Sequence, residues 1–294
     1  MSPNTDASHD NAAASAFVEL DLVVIGDEIL DGFIAEDNGR WLSERSRELG
    51  TPLRRMLVVR DGPEDIRQAL ELCLQDPKRP RVVLTSGGVG GTWDDVTYEA
   101  VAATLGATTR YDDDLAAPVE YVLDYMESLG FEMDEDAIEG MRRIARVPAP
   151  STVIRHRRFL ACTISNVDGG AADGGVSIVT LPGPPGHFRM LVDGVVVPEL
   201  LEGRGLVTSV AEIEHEYPEN VLAGVLRRIR ARHSEVTIGS YPGDVMLVRL
   251  QGPTAAVKAG AEELRAFLTE LDRHPASDDV KLTWKQQVAS WSGE

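Results

Sequence analysis

The chain has little cysteine, little lysine and few aromatics: two cysteines, four lysines and 5% aromatic residues in 294 positions. It also has no apolar run approaching the roughly 18 residues of a membrane span, which excludes a helical membrane anchor within it. Cys73 and Cys162 sit in apolar surroundings ("ALELCLQ", "FLACTIS") without metal-ligand spacing, so they read as buried free thiols. The first sixteen residues, "MSPNTDASHDNAAASA", lack the basic start and apolar stretch of a secretory signal. They read as a disordered polar arm, and the protein is expected in the cytoplasm. Basic residues are outnumbered, 29 against 48 acidic ones, for a formal charge of −19. Such a surface repels nucleic-acid backbone and excludes a general nucleic-acid role. The same bias suits solubility at high salt, so a halophilic source and a simply acidic soluble protein both stay open.

What is present is an alternation of short apolar runs with amphipathic stretches, the pattern of an α/β domain with a mostly parallel sheet. "VELDLVVIG" (18–26), "PLRRMLVVRD" and "RVVLTSGG" read as the first three strands. The helix "AEDNGRWLSERSRELG" closes on Gly50, and "GPEDIRQALELCLQD" places Ile66, Ala69, Leu70 and Cys73 on one face. Residues 111–146 break the rhythm with an acidic, helical insertion, and strand-like pieces follow at 158–165 and 176–181. "PPGHFRMLVDGVVVPELL" reads as a helix interrupted by Pro and Gly. After "EGRG" the pattern resets to a β-α-β-β-α order. The division is therefore a disordered arm (1–16), an α/β domain (17–205), a small α+β lobe (206–273) and a polar tail (274–294) that the pattern does not place.

Four glycines in five positions end the third strand in "TSGGVGGTWDDVT". Glycine lets backbone N–H groups approach an anion, and a helix start adds partial positive charge, so Gly87, Gly88, Gly90 and Gly91 point to a phosphate cradle. It is neither a Walker A loop nor a GxGxxG fingerprint. Asp94 and Asp95 would repel a bare phosphate unless a divalent cation or a hydroxyl lay between, so they read as metal or hydroxyl ligands. The plainer alternative, a structural turn with an Asp capping the next helix, stays open. Two other strand ends carry carboxylates, Asp27 and Glu28 in "GDEIL" and Asp61 in "VVRDGPED". In an open parallel sheet ligands bind outside the carboxyl ends of the strands, and "LPGPPG" (181–186) adds another loop there.

Together "IGDEILDGFIAEDNGRWLSERSRELG", "TSGGVGGTWDDVT" and "LPGPPGHF" resemble the molybdopterin-binding domain shared by the MoaB/Mog proteins and the amino-terminal half of the competence-damage CinA family. "TIGSYPGD" resembles the small lobe that follows this domain in CinA-like proteins, so the resemblance runs from about residue 18 to about residue 273. It implies a three-layer α/β/α sandwich, a homo-oligomer (dimer or trimer), and a nucleotide or pterin phosphate as small-molecule partner. It implies roles for Asp61 and Asp95 in adenylation of molybdopterin or metal insertion, or in metal-dependent cleavage of a dinucleotide pyrophosphate. The deamidase domain of CinA is missing, so nicotinamide mononucleotide deamidation is not expected. Trp93 stands where the family has a smaller or polar residue, and either stacks on a ring or is a partly buried surface aromatic. Asn38 matches a family asparagine and reads as a helix cap rather than a ligand. His187 follows "LPGPPG" where the family often carries an acid, so no role is borrowed for it.

The expected site has Asp61 and Asp95 as catalytic residues. Gly87, Gly88, Gly90, Gly91, Thr92, Pro182 and Gly183 contact the ligand. Asp27, Glu28, Asp61, Asp94 and Asp95 hold a divalent metal, Mg²⁺ or similar, and molybdopterin is a possible ligand. The expected activity is hydrolysis of a nucleotide pyrophosphate of the ADP-ribose or FAD class; the alternative is a molybdopterin-binding or cofactor-biosynthesis module. The acidic composition yields its own test. A halophilic chain loses its circular dichroism below about 0.5 M KCl, where acidic self-repulsion is less screened; full ellipticity at low salt rejects a halophilic source.

Overall fold

The computed structural model describes residues 17–75, 80–157, 160–243 and 245–291, so the arm expected over residues 1–16 lies outside it. Two compact units, Met1–Gly205 and Leu206–Glu294, divide the chain. The first begins with β1 (Glu19–Ile25), the short helix α1 (Asp27–Leu30), α2 (Asn38–Leu49), β2 (Leu53–Val59), α3 (Pro63–Leu74) and β3 (Arg81–Ser86). α4 (Thr97–Thr104), β4 (Thr109–Tyr111), α5 (Asp113–Ser128), α6 (Glu135–Arg143) and β5 (Arg146–Pro148) follow. β6 (Ser151–Arg157), β7 (Leu160–Val167), β8 (Val176–Leu181) and α7 (Pro185–Leu191) complete it, before a π-helical stretch over Val192–Leu201.

The six-stranded sheet has the order β2-β1-β3-β8-β7-β6. β2, β1, β3 and β8 are parallel, and β7 and β6 add an antiparallel hairpin to one edge. Because side chains alternate across a strand, β1 divides itself between two cores. Leu20, Leu22 and Val24 pack with Leu42, Phe188 and Val192, whereas Val23 and Ile25 pack with Ile66, Leu70 and Val101. Helices therefore cover both faces, which is the three-layer α/β/α arrangement expected from the sequence. Gly50 ends α2 in the left-handed conformation, φ 68°. Near the amino ends of the strands the fully buried Asp21 carboxylate is held by Arg54, with Arg55 and Arg81 each 3.9 Å away. Both cysteines are free and buried, and burial pushes their thiols up to about 12.

Two local expectations change, and the helical insertion is met. The strand expected at 158–165 is β7, and the preceding β6 was not anticipated, since "STVIRHR" alternates apolar and polar too weakly to separate from a loop. The helix expected through "PPGHFRMLVDGVVVPELL" is α-helical only to Leu191; the following turns contain Pro198, which lacks the N–H an α-helical ladder needs. The insertion holds α5 and α6, each started by an aspartate, Asp112 and Asp134, whose carboxylate accepts from a first-turn N–H.

The second unit has β9 (Thr208–His215), α8 (Glu219–Arg232), β10 (Thr237–Tyr241), β11 (Met246–Pro253) and α9 (Thr254–Asp272). Its antiparallel sheet has the order β10-β11-β9. Ile213, Leu222, Val225, Val248, Leu250 and Leu264 form its separate core. The polar tail contains α10 (Ser277–Trp291), tied to the lobe where Tyr217 Oη meets Asp272 at 2.8 Å and Ser277 at 2.6 Å, and where Lys281 pairs with Asp272 at 2.6 Å.

His215, buried at the end of β9, accepts from the Tyr217 N–H through Nδ1, and burial holds its pKa below the usual imidazole value. The folded lobe therefore binds fewer protons there than the unfolded one. Its stability is complete above the unfolded pKa of about 6.5 and falls as pH drops through the folded value. Hydrogen exchange of β9 and β11 amides, corrected for intrinsic rates, should accelerate between pH 7.5 and 5.5, and His215→Gln should flatten the dependence.

Candidate ligand site at the carboxyl edge of the sheet

β1, β3 and β8 are adjacent and parallel, so the chain leaves all three at one edge of the sheet. A cavity of about 630 Å³ opens there, lined among others by Glu28, Asn38, Asp61, Gly88, Asp94 and Pro182. Its floor is fixed by Asn38. The Asn38 Nδ2 donates to Ser86 Oγ at the end of β3 and to the Gly183 carbonyl after β8, both at 2.8 Å. The side chain does not cap α2; Asn38 is already the first residue of that helix, and Glu36 Oε1 instead accepts from the Gly39 N–H at 2.8 Å. One buried amide thus ties three segments that are far apart in sequence.

The glycine loop is shaped by contacts with its own protein. Gly87 and Gly88 have φ of +112° and +65°, conformations that favour glycine. A Cβ on Gly87 would strike the Ile25 carbonyl oxygen, and one on Gly88 the Thr97 hydroxyl. At Gly91 a Cβ would lie 2.6 Å from the carbonyl oxygen of Gly140 in α6. Arg143, at the end of α6, donates to the carbonyls of Thr92 (3.3 Å) and Asp95 (3.0 Å). The acidic insertion is therefore the outer brace of the loop, a role that the lone glycine in "IEGMRR" could have signalled. The Gly87 N–H is engaged by the Leu181 carbonyl at 3.1 Å, so it is not among the free donors expected of all four glycines. The N–H groups of Gly88, Gly90 and Gly91 have no protein acceptor among the described residues.

The five expected carboxylates divide. Asp95 Oδ2 accepts from the Thr92 N–H (2.8 Å) and hydroxyl (2.5 Å), closing the turn. Neither Asp94 nor Asp95 caps α4, which starts at Thr97 behind Val96 without a side-chain cap. Asp27 and Asp61 interlock, each accepting from the other's N–H at 3.2 and 2.8 Å, and Arg60 lies 3.4 Å from Asp27. Asp61 is held above the usual carboxylate range, first by burial and then by the negative charges of Glu28, Asp27 and Asp94, against the lowering effect of the Asp27 N–H. Asp94 Oδ1 is buried without a hydrogen-bond partner. Among the described residues no three His, Cys, Asp or Glu side chains form a ready-made metal cage, so the expected five-ligand set is not assembled as one. Trp93 is 85% exposed, which removes the partly buried alternative. Thr92, Pro182 and Gly183 line the cavity, as does His187, to which the sequence assigned no role.

A family described as a probable molybdopterin binding domain matches residues 21–202. A CinA-like protein from a Mycobacterium species (strain MCS) is 29% identical over 288 residues, covering 92% of this chain and 65% of its own length. A protein of Pyrobaculum calidifontis is 29% identical over 225 residues, covering 75% of this chain and 79% of itself. The chain thus spans about two thirds of the CinA-like relative's length. The crystal structure of CinA, of unknown function, from Thermoplasma acidophilum superposes with a TM-score of 0.49 at 24% identity, covering 63% of this chain and 98% of that one.

The raised Asp61 pKa fixes the sign of a mutational effect. Its protonated form is favoured in the fold, so its contribution to stability is complete below the unfolded pKa of about 3.9 and is lost as pH rises through the folded value. Asp61→Asn keeps an oxygen for the Asp27 N–H and removes the charge. It should raise the melting temperature by about 1–4 °C at pH 7 and leave it unchanged near pH 3; calorimetry at both pH values checks this.

Proposed function

Because the chain belongs to the probable molybdopterin binding domain family, we propose that the cavity at the ends of β1, β3 and β8 binds a phosphate-bearing heterocycle, a nucleotide or a pterin. The observation that carries this reading is the glycine loop, where Gly88 and Gly90 line the cavity with N–H groups that no protein acceptor engages among the described residues. Oriented backbone donors ahead of a helix stabilise phosphoryl oxygens without any reorganisation when the ligand arrives.

A second reading adds turnover, and the state of Asp61 favours it. A desolvated carboxylate beside Glu28 and Asp94 disfavours folding unless a cation or a proton is delivered to it. The donor set fits Mg²⁺ held by one or two carboxylates together with substrate phosphates, rather than a cage built by protein alone. Asp61 and the unpartnered Asp94 are the residues to hold it, with Glu28 beside them. Such an ion, when bound, neutralises phosphate charge and acidifies a water. Asp27 aims Asp61 through its N–H, Asp95 keeps the loop closed, and the glycine N–H groups orient the phosphates. The reaction would be cleavage of a pyrophosphate bond in a substrate such as ADP-ribose or FAD.

Purified protein incubated with ADP-ribose, FAD, NADH and molybdopterin, with and without divalent ions, in low and in molar KCl, separates the readings. AMP that appears only with a divalent ion, is abolished by chelator and falls at least about tenfold in Asp61→Asn establishes the hydrolase. Tight molybdopterin binding with every nucleotide intact leaves the binding module. Folded protein that neither binds nor cleaves any of them rejects both.

A further inference from the structure

The insertion carries a groove of its own, about 560 Å³, between α5 and α6. Leu123 of α5 and Ile138 of α6 give it apolar walls, and Phe131 and Met133 in the link between the helices complete the apolar surface. Glu120, Asp124 and Glu127 border it at spacings of four and three, which puts them on one face of α5, and Glu132 adds a fourth carboxylate. Glu120 already holds Arg142 through two hydrogen bonds of 2.7 and 2.9 Å. Asp124, Glu127 and Glu132 have no basic partner among the described residues. Exposed aromatics collect on the same element: a chain with only 5% aromatic residues leaves Tyr121, Tyr125 and Phe131 more than half exposed here, with Leu129 at 66%. Large apolar side chains gathered in one exposed patch mark a docking face rather than a solvated one.

Charge selects the occupant. Residues 111–146 hold eleven acidic against three basic residues, so this stretch supplies a net −8 of the chain's −19. A second copy would bring the same charge to the interface, and a nucleic acid or an anionic lipid surface would be repelled as strongly. What fits is a partner with cations at helical spacing beside large apolar side chains. We propose that the groove docks a basic amphipathic helix of another protein, its lysines or arginines on Asp124, Glu127 and Glu132 and its apolar side chains on Phe131, Met133 and Ile138. The wall formed by α6 is also the brace of the glycine loop, through Gly140 against Gly91 and Arg143 on the Thr92 and Asp95 carbonyls. Ile138 stands two positions before Gly140, so an occupied groove stiffens that brace and slows opening of the loop. The inference is independent of what the loop binds.

Fluorescence anisotropy with three labelled peptides of about 14 residues, near four helical turns, tests the docking at about 0.15 M KCl, where long-range attraction is screened. One is an amphipathic helix of leucine and lysine, one has the same residues in an order that leaves no apolar face, and one replaces each lysine by glutamate. The amphipathic probe should bind at least about tenfold more tightly than the reordered one, and the acidic probe should not bind. Phe131→Ala and Glu127→Lys, both at exposed positions, should each weaken it about tenfold, whereas Glu262→Lys on α9, the same charge change in the other unit, should leave it within about twofold. Hydrogen exchange of the amides of residues 88–91 should slow with the probe bound. Equal affinity for the amphipathic and reordered probes, or equal weakening by Glu127→Lys and Glu262→Lys, reduces the effect to general attraction and overturns the docking site. Dimerisation of the protein alone that Phe131→Ala abolishes, read by sedimentation velocity, gives the face to a second copy and overturns it as well. Binding that leaves the loop amides unchanged overturns the link to the loop.

Discussion

The carboxyl edge of the sheet depends on how closely loop 87–91 is pressed against the rest of its own domain. Gly87 rests on the Ile25 carbonyl at the end of β1, Gly88 on Thr97 at the start of α4, and Gly91 on Gly140 of the insertion. Two of these three contacts are with backbone, which cannot swing aside as a flexible side chain can, so a single methyl group would displace a strand or a helix. The loop also lies beside the "LPGPPG" segment, bound to it by the Gly87 N–H and, through Asn38, by Ser86 and Gly183. Glycine is therefore required twice over, to let the loop pack inward and to leave the remaining N–H groups uncovered outward.

Carboxylates close to that loop would be an electrostatic fault if all of them were free. The structure divides them by partner. Asp95 is engaged by Thr92, and Asp27 has Arg60 beside it. Asp61 has only the Asp27 N–H, and burial first, then the neighbouring charges of Glu28, Asp27 and Asp94, raise its pKa. That partly buried, like-charged carboxylate beside the glycine loop is what the proposed turnover rests on.

Most of the architecture was legible because it follows from periodicity. The buried parallel strands are continuous apolar runs, the helices show one apolar face, and Gly50 marks an end of α2 as its conformation requires. The location of the cavity was legible for a topological reason, since parallel strands all end at one edge of the sheet. Individual roles were not. That Asp95 is tied up while Asp94 Oδ1 is left without a partner depends on a turn that closes on Thr92, and whether Asn38 caps a helix or bridges strand ends depends on residues 48 and 145 positions away. The brace from Gly140 and Arg143 was hidden for the same reason, being a long-range contact of an insertion whose local pattern speaks only of helix.

The acidity of the chain finally bears on how such a site can work. At −19 the whole molecule repels an anionic ligand, and in dilute salt that repulsion reaches tens of ångströms, well beyond the cavity. For the proposed anion to bind, short-range groups must reverse it: the glycine N–H groups and any cation carried in with the phosphates. Raising ionic strength shortens the repulsion to about 3 Å at 1 M while leaving buried or contacting donors nearly untouched. Added salt should thus speed ligand capture here, opposite to the behaviour of a site that steers anions with a basic surface. The sign of the salt dependence of the association rate consequently reports which of the two strategies the domain uses, independently of which heterocycle it binds.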